Sequence, residues 1–302
     1  MVSGFKAGFV SVVGRPNVGK STLINALLGQ KVAAVSPKPQ TTRRNQLGIL
    51  TQDEAQLIFT DTPGLHEKRN KLGEWMNAEA LFALEDGDVI LFLVDAANPP
   101  NEEDRLLAEK IAGRRSKQAV LMALNKIDLL DPERLETRRA QYGALVSGAR
   151  TMEISATQGQ GLPELLETLI ELLPEGEPYY PQDQVTDLYE RQIAADLIRE
   201  AALTQLREEV PHGIAISIDR FIERGEKGAR IEATIFVERE SHKGIVIGEG
   251  GKMIKLIGQS ARQEIERMSG RKVYLDLRVK VRQNWRNDEK VLGKFGYSKR
   301  KD

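Results

Sequence analysis

Apolar and polar positions along the chain change period several times, and those changes mark out its elements. Phe9 to Val13 (FVSVV) is a short continuous apolar run, and Ser21 to Leu28 continues at helical spacing after a glycine-bearing turn. Gln46 to Thr51 and Ala55 to Thr60 read as neighbouring strands joined by Gln52-Asp53-Glu54. Leu72 to Leu84 and Glu102 to Ala112 place apolar residues at helical spacing. Val89 to Val94 (VILFLV) is a strand apolar throughout, Gln118 to Leu124 is a further strand, and Thr151 to Ile154 is a last short one. Apolar strands that alternate with amphipathic helices predict a parallel sheet covered on both faces, a doubly wound α/β domain over residues 1–173. Pro174 to Asp187 has three prolines, many acids and no period, so 174–187 reads as an interdomain linker. Helical spacing returns from Leu188 to Leu206, and Gly213 to Phe221 and Arg230 to Val237 alternate as strands. A pair of helices and the strand Lys272 to Val281 complete a smaller α+β domain, 188–302, with a basic C-terminal tail.

Composition narrows the class. A chain of 302 residues suits two domains with cores of their own. A hydrophobic share of 40% with 29% charged residues describes a soluble globular protein, and no apolar run approaches the length of a membrane span. The start MVSGFKAGFV has no separate apolar segment with a cleavage site, which predicts no signal peptide. Without cysteine there is no disulfide and no cysteine-ligated zinc or iron–sulfur centre, and His66, His212 and His242 lack metal-ligand spacing. Formal net charge is zero, but residues 1–178 carry 20 Lys and Arg against 24 Asp and Glu, whereas 241–302 carry 16 against 7. That imbalance points to a polyanion partner for the C-terminal fifth.

Candidate chemistry falls at the strand ends. Gly14-Arg15-Pro16-Asn17-Val18-Gly19-Lys20-Ser21 sits between the first strand and the first helix, which continues with Thr22. The pattern G-x-x-x-x-G-K-[ST] in that context is a phosphate cradle: backbone N–H groups and the helix N-terminus face one point, Lys20 adds charge for the β- and γ-phosphates, and the Ser21 hydroxyl can ligate Mg²⁺. Residues 35–44, with two prolines and several hydroxyls, read as a mobile loop. Asp61-Thr62-Pro63-Gly64-Leu65 ends the third strand, which suits an outer Mg²⁺ carboxylate and a glycine that lets backbone approach a γ-phosphate. Asn125-Lys126-Ile127-Asp128 ends the strand Gln118 to Leu124. A carboxylate there can accept from both N1–H and N2–H₂ of guanine, a donor pair that adenine lacks. Ser155-Ala156-Thr157 lies where backbone would close the base pocket.

In the smaller domain, Gly248-Glu249-Gly250-Gly251 follows an apolar short helix and precedes a long one carrying Met253, Ile254, Ile257, Ala261 and Ile265. Short helix, G-x-x-G and long helix make the core of a KH module, whose glycines let backbone lie against a nucleic-acid strand. Strands before the helix pair indicate the second KH topology. Lys243, Lys252, Lys255, Arg262 and Arg278 are candidate phosphate contacts, and Trp285, Phe295 and Tyr297 candidate stacking or core rings.

Taken in order, G-R-P-N-V-G-K-S, T-T-R, D-T-P-G, N-K-I-D and S-A-T resemble the translation-factor-related GTPases over residues 5 to about 173. The loop sequence, PQTTR and the trailing KH-like domain are similar to the Era family within that class. The resemblance implies that Lys20, Ser21, Thr42 and Gly64 serve catalysis, with Lys20 bridging the phosphates and Gly64 N–H meeting the γ-phosphate. Ser21 and Thr42 would ligate Mg²⁺ and Asp61 would hold it through water; between Thr41 and Thr42, the latter is favoured because it immediately precedes the arginine. Asn125 and Asp128 would select guanine, with Lys126 along the ring and Ser155 and Ala156 closing the pocket. Where Ras-like enzymes place a water-orienting glutamine this chain has Leu65, which implies slow intrinsic hydrolysis aided by a partner or a monovalent cation, and Asn17 resembles the loop asparagine of potassium-stimulated members. The implied function is a GTP-hydrolysing switch that binds GTP and GDP, acts in small ribosomal subunit assembly and contacts small-subunit ribosomal RNA near its 3′ end. The implied protein is a cytoplasmic monomer that can associate peripherally with the inner face of the membrane. Two other readings stand beside it: a P-loop kinase or ATPase, and an RNA tether whose nucleotide site is only structural.

Overall fold

A computed structural model describes residues 4–36, 38, 41–65, 70–114, 118–223, 225 and 228–297. Pro37, Pro39 and Gln40 of the expected loop, and His66, lie outside the described residues. The chain divides into two compact units, one of Met1–Ala33, Thr42–Glu67 and Met76–Asp187, the other of Ala34–Thr41, Lys68–Trp75 and Leu188–Asp302.

The first unit holds a six-stranded sheet of β1 (Lys6–Val13), β2 (Gln46–Thr51), β3 (Ala55–Asp61), β4 (Val89–Asp95), β5 (Ala119–Asn125) and β6 (Arg150–Glu153). Its order is β2-β3-β1-β4-β5-β6, with β2 antiparallel to β3 and the other pairs parallel. β4 shows why its sequence is apolar throughout: Val89, Leu91 and Leu93 enter one core, and Ile90, Phe92 and Val94 enter the other. Helices α1 (Lys20–Leu28) and α5 (Leu162–Leu172) supply Leu23, Ile24, Leu162, Leu165 and Leu169 to the first core. Helices α2 (Lys71–Asp86), α3 (Glu102–Ala112) and α4 (Pro132–Gly143) supply Ala80, Leu84, Leu107, Ile111 and Tyr142 to the second. The chain winds to either side of β1, so the turn after it lies at the point where strand order reverses, the usual crevice for a ligand in such sheets.

The stretch 174–187 lies within the first unit and is tied to it. Ala7 N–H donates to Pro174 O (3.1 Å), Ile49 N–H to Val185 O (2.9 Å) and Leu47 N–H to Asp187 Oδ1 (3.0 Å). Gln56 clasps it, its Oε1 accepting from Tyr179 and Tyr180 N–H and its Nε2 donating to Tyr180 O. The bonds from Ile49 and Leu47 satisfy backbone donors along the edge strand β2, which an open edge would leave for another chain to pair.

In the second unit α6 (Glu190–Gln205) precedes β7 (Ala215–Glu223) and β8 (Ala229–Val237). Then come α7 (Glu240–Ile247), α8 (Lys252–Ser269), β9 (Val273–Val281) and the short α9 (Glu289–Lys294). The sheet runs β7-β8-β9, antiparallel then parallel. Alternate residues of β8, namely Ile231, Ala233, Ile235 and Val237, pack with Leu197 and Ile198 of α6 and with Ile257, Ala261 and Ile265 of α8. This is the αββααβ order of the second KH topology.

Candidate functional site

The turn after β1 is shaped by its glycines. A Cβ on Gly14 would stand 2.3 Å from the Leu93 carbonyl oxygen of β4, and one on Gly19 would stand 2.5 Å from Asn125 Nδ2. Asn17 (φ 64) and Gly19 (φ 104) take left-handed backbone, a change of hand that turns successive N–H groups toward one concavity. Gly19 caps α1 without a side-chain hydrogen bond, so the first-turn donors of that helix stay available to an anion. Lys20 is 7% exposed, and its Nζ donates to the carbonyls of Gly14 (3.0 Å) and Arg15 (3.1 Å). Burial lowers its pKa from 10.5 to about 8, with Asp61 opposing the shift. A cation held in a buried loop by neutral carbonyls is a poor ground state, and a phosphate group would relieve it.

Three oxygens converge beside the loop. Ser21 Oγ donates to Asp61 Oδ2 (2.7 Å), Thr42 Oγ1 donates to the same atom (2.9 Å), and the two hydroxyls are 3.0 Å apart. Thr41 turns elsewhere, its Oγ1 donating to Lys38 O (2.8 Å). Two hydroxyls and one carboxylate are hard donors of the kind Mg²⁺ takes, and the set fits that ion. Bound there, Mg²⁺ would neutralise charge on the terminal phosphates. Next to the set, Thr62 Oγ1 donates to Val12 O (2.8 Å), fixing the segment after β3. Gly64 sits against the loop so closely that a Cβ would meet Pro16 N at 2.6 Å. Leu65 is buried in the second core with Val13, Ile90 and Phe92, so its side chain anchors the segment and does not address the site.

At the end of β5, Asn125 is 2% exposed and its side chain bonds at both its nitrogen and its oxygen. Its Nδ2 donates to Val18 O (2.8 Å), and its Oδ1 accepts from Ala156 N–H (3.0 Å). Asn125 thereby ties the phosphate loop to the Ser155-Ala156 turn. Lys126 (φ 67) donates from Nζ to Asn17 O (2.9 Å) and Asp95 Oδ2 (2.9 Å). Ile127 is buried, while Asp128 is exposed in the single 3-10 turn Ile127–Leu129, where its carboxylate is open to an incoming base. Ser155 is buried and its Oγ accepts from Gln158 N–H (3.2 Å), which shapes the turn that presents Ala156. The glycine turn, the Asp61 carboxylate and the Asn125 to Asp128 turn lie at the carboxyl ends of β1, β3 and β5.

Sequence reasoning passed over Asp95 and the side chain of Arg15. Asp95 ends β4 and accepts from Lys126, and Arg15 reaches both Asp95 Oδ2 (3.5 Å) and Asp104 Oδ2 (3.3 Å). A signal was present in the aspartate that ends an otherwise apolar strand.

In the second unit, Gly248, Gly250 and Gly251 all take positive φ (70, 58 and 77) between α7 and α8. Gly251 N–H donates to Gly248 O (3.1 Å), closing the turn. A Cβ on Gly248 would meet Met253 Cβ at 2.7 Å, whereas around Gly250 and Gly251 there is open space. Glu249, Lys252 and Lys255 are exposed, Lys243 is half-buried with Nζ 3.8 Å from Glu240, and Ile245 and Leu256 are exposed apolar side chains on the flanking helices. Cationic heads, bare backbone and exposed apolar surface together suit a single-stranded nucleic acid. Arg278 is different, because it lies near Asp276 (3.4 Å) and Glu232 (3.8 Å) on the side of the sheet away from the helices. Trp285 is fully buried, with Nε1 donating to Gly213 O (2.9 Å), and Phe295 packs on it and on Phe236. Those two rings belong to the core, and Tyr297 is half-buried.

A doubly wound domain with a phosphate loop, an Mg²⁺ set and an Asn-Lys-x-Asp pocket, followed by a KH domain, defines a P-loop GTPase joined to an RNA-binding module. A profile described as 50S ribosome-binding GTPase matches residues 9–126, and one described as KH domain matches residues 209–286. GTPase Era of Carboxydothermus hydrogenoformans is 46% identical over 295 residues, covering 97% of this chain and 98% of its own. GTPase Era of Halothermothrix orenii is 47% identical over 293 residues, covering 97% and 99%. Among solved structures, Era in complex with MgGDPNP and nucleotides 1506–1542 of 16S ribosomal RNA superposes with a TM-score of 0.91 at 40% identity, over 97% of this chain and 99% of that one. A single-residue variant of Aquifex aeolicus Era bound to GDP·AlF4⁻ gives 0.92 at 40% identity, over 97% and 100%. The chain belongs to the Era family of GTPases.

Proposed function

We propose that this GTPase is a switch in small ribosomal subunit assembly that binds small-subunit ribosomal RNA near its 3′ end through the loop Gly248 to Gly251. The observation that carries this reading is the pairing, in one chain, of a site for a Mg²⁺-bound guanine nucleotide with a glycine loop flanked by Lys252, Lys255, Ile245 and Leu256. A relative that matches over 97% of the chain has been solved with both MgGDPNP and 16S ribosomal RNA nucleotides, which supports it. Lys20, Ser21, Thr42 and Gly64 are assigned to the phosphates and metal, Asn125 to Asp128 with Ser155 and Ala156 to guanine, and Lys243, Gly248 to Lys252 and Lys255 to RNA.

A link from the γ-phosphate, which Thr42 would sense beside the metal set, to the RNA-binding domain is part of this switch. The boundary between the functional domains is placed at the stretch 174–187. With Leu65 buried, the attacking water is held by other means, and Asn17 is assigned to recruit K⁺. Equal single-turnover rates in potassium and sodium would remove that assignment. Among the described residues no helix is long and apolar enough to cross a membrane. The monomeric state, cytoplasmic location and peripheral membrane contact rest on the family resemblance.

The test is recovery and sequencing of RNA crosslinked to the protein in cells. Wild type should enrich the 3′ end of small-subunit ribosomal RNA, and Gly248→Asp with Gly251→Asp should lose it. Enrichment of unrelated RNA by the wild type would overturn the assignment.

A further inference from the structure

Beneath the phosphate loop lies a group of charges that neither the phosphate nor the base chemistry explains. Asp95, at the end of β4, has a side chain 6% exposed and receives four donors. These are Lys126 Nζ (2.9 Å), Ala97 N–H (3.1 Å), Asn98 Nδ2 (3.3 Å) and Arg15 Nη2 at 3.5 Å. Asp104, fully buried in the first turn of α3, receives Arg15 Nε (3.3 Å) and Asn101 N–H (3.1 Å) on Oδ2. The Tyr142 hydroxyl lies 3.5 Å from that same oxygen. Arg15 thus bridges two carboxylates from inside the phosphate loop, and its own carbonyl receives Lys20 Nζ. Lys126 bridges the second gap, from Asp95 to Asn17 O.

Two cations and two anions therefore join α3, β4, the phosphate loop and the guanine motif in one continuous circuit. A lysine side chain has much rotamer freedom to lose, so an ammonium reaching two partners is held in place only where a fixed acceptor opposes it. Asp95 is fixed by Ala97 and Asn98 and supplies that acceptor. Asn17 is a non-glycine residue in left-handed backbone, a conformation that persists only when its surroundings determine it, and the bond from Lys126 is one such determinant.

We propose that Asp95 is a positioning residue that holds Lys126, and through it the Asn17 carbonyl, in the arrangement bound nucleotide requires, and that it thereby sets nucleotide residence time. The inference rests on Asn125 to Asp128 being the guanine site.

The experiment is stopped-flow release of a fluorescent GDP analogue from the full-length protein. Asp95→Asn keeps the shape but removes the charge opposing Lys126, and release should quicken about tenfold. Asp95→Glu keeps the charge on an arm one methylene longer and should quicken it about threefold, a measurement available even where Asp95→Asn does not fold. The decisive comparison is a double-mutant cycle. Lys126→Met alone should quicken release, and adding Asp95→Asn to it should change the rate less than twofold, because the ammonium through which Asp95 acts on Asn17 would then be gone. A purely structural Asp95 would instead multiply the two effects. Multiplied effects, or an unchanged rate in both Asp95 variants, overturns the proposal. Asp128→Asn is run alongside: if it keeps full preference for GTP over ATP, the guanine-site reading fails on its own account, separately from the role of Asp95.

Discussion

Replacing Asn125 by alanine should loosen the nucleotide-free first unit even before a ligand is considered. The side chain is 2% exposed and makes two buried bonds, from Nδ2 to Val18 O at 2.8 Å and to Oδ1 from Ala156 N–H at 3.0 Å. Alanine would strand a carbonyl and an N–H in surroundings that water reaches poorly. Each stranded group costs about 1–3 kcal/mol, which puts the pair at roughly 4 kcal/mol. That cost should appear as local opening, since both partners lie in turns that Asn125 alone among the described side chains joins. Amide hydrogen exchange of the nucleotide-free protein, resolved by peptide, reads it directly. Peptides spanning residues 14–22 and 154–158 should each lose about 2 kcal/mol of protection, one stranded group apiece, while those of β8 and β9 should not change. A loss below about 1 kcal/mol in both site peptides, with nucleotide binding still abolished, would refute the clamp and leave Asn125 as a base ligand only.

Lys20 gives a pH signature. Its pKa in the nucleotide-free fold is about 8 against 10.5 for an ordinary solvated lysine, so between those limits the unfolded chain binds more protons and the stability of the nucleotide-free unit rises with pH. Phosphate favours the ammonium, so Mg·GDP affinity should fall in the same window, by at most about tenfold per pH unit, with proton uptake visible by calorimetry in buffers of different ionisation enthalpy. Binding near pH 9 without proton uptake would contradict it. Gly64→Ala brings a Cβ to 2.6 Å from Pro16 N, and it should slow single-turnover hydrolysis at least tenfold while changing GDP affinity less than threefold. Trp285→Ala empties a fully buried site and strands the Gly213 carbonyl, so the second unit should lose about 3–5 kcal/mol in urea unfolding.

Periodicity placed the sheet where strands are buried on both faces, as β3 and β4 are throughout, and most core-facing helices show their stripe. Helix α4 escaped it for a physical reason: among its twelve residues only Tyr142 is buried, so there is almost no apolar stripe to see. Helix α5 is legible in the spacing of Leu162, Leu165 and Leu169. The stretch 174–187 has no period because its order comes from partners far away in sequence, notably Gln56, some 123 residues distant. Site motifs were readable where the chemistry is carried by neighbours in sequence, as in Gly14 to Ser21 and Asn125 to Asp128. The pairing of Arg15 with Asp104, 89 residues apart, is invisible to spacing, as is the bonding of Asn125 at both its nitrogen and its oxygen.

The most direct test of a nucleotide switch that governs RNA binding is equilibrium affinity of the intact protein for a single-stranded RNA carrying the 3′ end of small-subunit ribosomal RNA. It is measured at fixed salt with Mg·GDP and again with a non-hydrolysable GTP analogue. The account predicts tighter binding with the analogue, abolished in both states by Gly248→Asp with Gly251→Asp. Equal affinity with the two nucleotides would contradict it.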